Sequence, residues 1–93
     1  NILPLNAFTT TSGSTTISVN EPDHGRSTSD TVRFRDVLNV GGVAATTINN
    51  SSGYTITKID DDNYTFATGT TSSISELGGG GAASAGPVTV SAW

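Results

Sequence analysis

His24 is the only histidine in the chain, and with Asp23 and Asp30 near it a Ser/His/Asp arrangement can be drawn. So Ser-rich a sequence permits that drawing anywhere, and no strand–nucleophile–helix elbow of the G-x-S-x-G kind is present. His24 is therefore expected to be a turn residue whose ring hydrogen-bonds a backbone group. Asp60-Asp61-Asp62-Asn63 offers the clustered oxygens that Ca²⁺ prefers. It lacks the D-x-[DN]-x-[DN]-G order of an EF-hand loop, so a solvated turn is expected instead. Gly78-Gly79-Gly80-Gly81 has no Lys-Ser/Thr ending and is not a phosphate loop. Tyr54, Tyr64 and Trp93 could stack on a sugar, but alternation places both tyrosines on an apolar face, and Trp93 reads as an edge residue. With no Cys and one His, no transition-metal site is expected, and no cofactor of any kind.

The elements that would hold these residues are strands. Ile17 and Val19 share one face of Thr15–Val19, and Val32 and Phe34 share one face of Thr31–Val37, with Arg33 and Arg35 on the other. Tyr54 and Ile56, then Tyr64 and Phe66, repeat the pattern, and Pro87–Ala92 ends the chain the same way. No stretch of ten residues carries helical periodicity. Ser12-Gly13, Pro22–Gly25 and Asp60–Asn63 punctuate as turns, while Gly41-Gly42 and Asn49–Gly53 bound a loop carrying Val43 and Ile48. The expectation is an all-β fold, a small antiparallel barrel or sandwich of about six to seven short strands. Residues 1–7 form an extended N-terminal arm, with Ile2, Leu3 and Leu5 docking on a neighbouring subunit by strand addition. Residues 8–93 form one β domain with a Gly-rich loop near 69–86.

Composition narrows the function. Ser and Thr number 28 of 93 residues, only 33% is hydrophobic and 13% charged, and neither Cys nor Met occurs. That excludes a disulfide miniprotein, a zinc finger and a thiol enzyme. Four basic residues and a net charge of −4 argue against nucleic-acid binding and against a polybasic membrane anchor. No apolar run approaches the ~20 residues of a membrane-spanning helix. No signal-peptide pattern is visible, and a start at Asn1 rather than Met suggests a processed product, an excised domain or an unassigned start.

One ordered set of motifs is more specific. Phe8-Thr9-Thr10-Thr11-Ser12-Gly13-Ser14 is followed by His24-Gly25, Asp30-Thr31-Val32-Arg33-Phe34, Gly41-Gly42-Val43, Tyr54-Thr55-Ile56-Thr57 and Asp62-Asn63-Tyr64-Thr65-Phe66. Over residues 6–83 this order resembles a small β module that recurs in tailed-bacteriophage structural proteins. That module is similar to the FCCH β-barrel domain of ubiquitin-activating enzymes. The resemblance implies a non-enzymatic tail, neck or fibre component, located in the virion, packed against other virion proteins and assembled as a homo-oligomer. It makes His24, Gly25 and Asp30 the fold-determining turn, with Asp30 accepting backbone N–H bonds before the Val32-Phe34 strand. Two residues depart from the pattern: Ser29 stands where Gly usually precedes the Asp, and Arg26 stands where an apolar residue is common. The alternatives are an adhesin or carbohydrate-binding module, with a glycan as partner, and a subunit of a cell-surface filament.

Overall fold

Alternating apolar and hydroxyl residues give strands with one buried face each, and two such sheets bury their apolar faces against one another. A computed structural model describes residues 2–3, 6–50, 52–78 and 88–92. Among the described residues the chain forms β1 (Ile2–Leu3), β2 (Phe8–Thr10), β3 (Thr16–Asn20), β4 (Thr31–Arg35), α1 (Ala45–Ile48), β5 (Tyr54–Thr55), β6 (Thr57–Lys58), β7 (Asn63–Ala67), β8 (Leu77–Gly78) and β9 (Val88–Ala92). One sheet has the order β1-β9-β4-β5, the other β6-β7-β3-β2-β8, and every pairing is antiparallel. The all-β expectation holds. The architecture is the sandwich, with two separate sheets and no closed barrel among the described residues.

The strand phase is the one the alternation predicts. Ile17 and Val19, Val32 and Phe34, and Tyr64 and Phe66 are buried, while Thr16, Ser18, Arg35 and Ala67 are exposed. Phe34 of the first sheet meets Phe8 and Phe66 of the second at ring-centroid separations of 5.2 and 5.0 Å. Tyr54 closes on Phe66 at 4.7 Å, and its hydroxyl donates to the Thr47 carbonyl. Burying each phenylalanine contributes about 1.5–3 kcal/mol, and this cluster is what joins the two sheets.

The segment from Tyr54, expected as a single strand, divides into two. Its first half pairs with β4 and its second with β7, so the chain changes sheets at Ile56. The physical reason is a clamp on that residue. The Ile56 amide donates to Asp30 O at 2.8 Å, its carbonyl accepts from Ser29 N at 2.9 Å, and its side chain is buried. The Val43–Ile48 loop contains the short helix α1, which the periodicity did not indicate; it seats Ile48 in the core.

Two boundaries also differ. Ile2 and Leu3 pair with Thr89 and Val88 of β9, and Leu3 is buried in the chain's own core. These two residues are thus an edge strand of the chain's own sheet rather than a free arm; Leu5 lies outside the described residues. The Gly-rich loop expected near 69–86 is docked over its described part, 69–78. Thr10 N donates to Glu76 O at 2.9 Å, Thr10 Oγ1 donates to Ile74 O at 2.8 Å, and Ser73 N donates to Gly41 O at 2.9 Å. Residues 79–86 and Trp93 lie outside the described residues.

The docking depends on Gly41. Its φ is +58°, and a Cβ there would stand 2.0 Å from Thr10 Oγ1. Gly41→Ala therefore combines left-handed strain with a collision and is expected to cost about 3 kcal/mol. Gly13→Ala has similar strain (φ +82°) but open space around it, and is expected to cost about 1 kcal/mol. Urea unfolding of both variants checks the order; equal losses would mean that the loop is not held against Thr10.

Candidate functional site

Strand β3 alternates inward at Ile17 and Val19, and the next inward position is Glu21. A carboxylate there is buried with 1% exposure, and burial of an unpaired charge would cost several kcal/mol. Its partners come from two directions. Arg26 forks onto it, Nε to Oε1 at 2.9 Å and Nη2 to Oε2 at 3.1 Å. The Tyr64 hydroxyl donates to Oε1 at 2.7 Å. Burial, then the hydrogen bond to Glu21, pushes the Tyr64 phenol above its ordinary range. The hydrogen bond to Glu21 likewise raises Arg26, against the opposing effect of its burial.

The His24 turn folds over this pair. Asp23 and Gly25 take positive φ, +52° and +64°. Arg26 N donates to His24 Nδ1 at 2.8 Å, which leaves the proton on Nε2 to be given to Asp60 O at 2.7 Å. The imidazole also stands edge-on to Tyr64, with centroids 5.2 Å apart. Both ring nitrogens are thus committed to the backbone, and neither faces a hydroxyl nucleophile.

Asp30 sits at the far end of the same connection. Its Oδ2 accepts from Ser27 N at 2.8 Å, and its amide donates to Ser27 O at 3.0 Å. Ser29 between them has φ +77°, a conformation that glycine adopts without strain. Asp30 and His24 are not brought into one constellation, since each closes its own turn.

The Asp60–Asn63 carboxylates diverge. Asp60 Oδ1 accepts from Asp62 N and Asn63 Nδ2, both at 2.9 Å; Asp62 Oδ1 accepts from Asp23 N at 3.0 Å; Asp61 pairs with Lys58 at 3.4 Å. Among the described residues no group of three His, Cys, Asp or Glu side chains is placed to hold a metal ion. The Asp62 amide, with Asn63, holds Asp60 below the usual carboxylate range. Its contribution to stability is therefore complete above the ordinary aspartate value and is lost as pH falls through the lowered one.

A different surface is shallowly hollowed and wide open. Arg33, Phe34, Arg35, Asp36 and Asn49 line an open cleft of about 500 Å³ at the end of β4. Asn49 is fixed beside it, with Oδ1 accepting from Val37 N and Nδ2 donating to Val37 O, both at 3.0 Å. Asp36 has φ +64°. Sequence inspection had singled out neither Glu21 nor this cleft. The available signal for Glu21 was a charged residue continuing the inward phase of β3, with an arginine five positions on.

No family model matches the chain, and no curated protein matches it. Among solved structures it is similar to part of a phage phi92 endosialidase, with a TM-score of 0.72 and 18% sequence identity. The likeness covers 100% of this chain and 12% of that one, so the chain spans about an eighth of the enzyme's length. At that identity the two share a fold.

Arg26→Ala strands the Glu21 carboxylate in the interior and is expected to cost roughly 3–5 kcal/mol. Tyr64→Phe removes one hydrogen bond to a charged group and should cost about 1.5–3 kcal/mol. Denaturant unfolding checks both, and a loss under 1 kcal/mol for Arg26→Ala would refute the pairing. Ser29→Gly relieves the left-handed strain at an exposed residue and is expected to stabilise by about 0.5–1 kcal/mol, seen as a raised melting temperature.

Proposed function

We propose that this chain is a non-enzymatic structural module of a phage virion, a tail, neck or fibre component that packs against copies of itself or neighbouring virion proteins. The observation that carries the proposal is the whole-chain likeness to an eighth of a phage endosialidase. The ordered motifs from Phe8 to Phe66, which resemble a module of tailed-phage structural proteins, support it independently. The chemistry agrees with it. The one histidine spends both ring nitrogens on turn closure, and the buried carboxylate is neutralised by Arg26 rather than facing a substrate.

The outer face of the larger sheet suits packing. Thr57, Thr65, Ser18 and Thr9 lie opposite one another in register across β6, β7, β3 and β2. Hydroxyls in such a row exchange water for a partner's polar groups at low desolvation cost. A glycan-binding role is the second reading, and the cleft at the end of β4 is the observation that favours it.

The test is location. In density-purified particles of the phage that encodes the chain, its tryptic peptides should remain with the virions. Antibody against residues 6–78 should label the tail or neck in electron micrographs. Recovery of the chain in the soluble lysate alone, with unlabelled particles, would overturn the proposal.

A further inference from the structure

The chain carries four basic residues, and their placement is uneven. Arg26 is spent on Glu21, and Lys58 on Asp61. The other two, Arg33 and Arg35, lie on the same outward phase of β4, about 7 Å apart by strand geometry, and both line the cleft with Asp36 and Asn49. Arg33 is half-buried and already makes an interaction within the chain. Arg35 is exposed and makes no ion pair among the described residues. In a protein of net charge −4, this is where positive charge collects at a concave surface.

From this juxtaposition we infer that the cleft at the end of β4 binds a carboxylate-bearing saccharide. Arg35, beside Arg33, takes the carboxylate, and Asp36, which also lines the cleft, takes ring hydroxyls. A guanidinium presents a planar fork that matches a carboxylate with two parallel N–H···O bonds. Asp36 supplies acceptors for the hydroxyl donors of a sugar, which a simple anion site would lack. An acidic peptide is disfavoured because the cleft offers no apolar side-chain pocket: Phe34, its one apolar residue, is 1% exposed and faces the core. This inference is independent of the structural role proposed above, and it rests on the second, glycan-binding reading of the same cleft, whose ligand class it names.

The experiment is an amide NMR titration of the ¹⁵N-labelled chain with tri-galacturonate. Tri-galactose, inorganic phosphate and a tri-glutamate peptide serve as separate probes. Tri-galacturonate is expected to move the amides of Arg33–Asp36 and Asn49 saturably below about 20 mM, with tri-galactose at least about tenfold weaker. Arg35→Ala, at an exposed position, should keep the native spectrum and weaken binding about tenfold, and Arg35→Lys should recover only part of it. Three results would overturn the inference: no saturable shift, equal shifts from tri-galactose, or phosphate or tri-glutamate matching tri-galacturonate at the same amides. Failure of this titration leaves the virion location test untouched, and the reverse also holds.

Discussion

A chain that is one-third apolar has few apolar side chains to bury, and most of its large ones among the described residues go to one place. The Phe8–Phe34–Phe66 cluster is that place. Phe8 and Phe66 stand on β2 and β7, Phe34 on β4, so the three rings are the contact through which two sheets become one core. Ile17, Val19, Val32 and Tyr64 extend it along the strands, while Leu3, Val40, Val43, Ile48 and Ile56 arrive from a connection or an edge. That is why the connections are so tightly specified. A loop that slipped by one residue would withdraw a core side chain that a composition this polar cannot replace.

The buried Glu21–Arg26–Tyr64 group works by a different logic. A buried ion pair is weak evidence for net stability, because desolvation offsets much of the attraction. Its value lies in selecting a geometry. Only a turn that brings Arg26 back over β3, and a β7 register that places Tyr64 beside Glu21, satisfies the carboxylate. His24 then ties the turn to the Asp60 carbonyl on the neighbouring hairpin. The turn, the hairpin and two strands of one sheet are thereby locked in a single arrangement. Arg26 at this position is explained by the acid beneath it.

Much of the fold was legible because period-two alternation survives even in a Thr-rich sequence. Ile17, Val19, Val32, Phe34, Tyr64 and Phe66 declare their faces without ambiguity. What could not be read were events decided by non-local partners. Ile56 bends the chain between sheets because Ser29 and Asp30 claim its backbone, and nothing in Tyr54–Lys58 encodes that clamp. Residues 69–78 read as a low-complexity connector, since small hydroxyl residues carry no periodic signal; their order comes from carbonyls and amides of β2 and Gly41. Leu3 read as an arm because its partner strand, β9, lies at the opposite end of the sequence. At the site, the turn residues were legible and the cleft was not, because Asn49 reaches it from twelve residues beyond Val37.

The same polarity that makes the core sparse makes the surface permissive. The larger sheet presents a nearly uncharged ladder of hydroxyls, whereas the outward side of β4 carries two arginines. A hydroxyl ladder discriminates poorly between partners, which suits contact with repeated copies of one surface. Arginines at a concave edge discriminate by charge and by fork geometry. A sandwich has two outer faces, and this one gives them different chemistry. Packing on one face therefore leaves the cleft on the other open to solvent, so an assembly role and a ligand-binding role need not compete for the same residues.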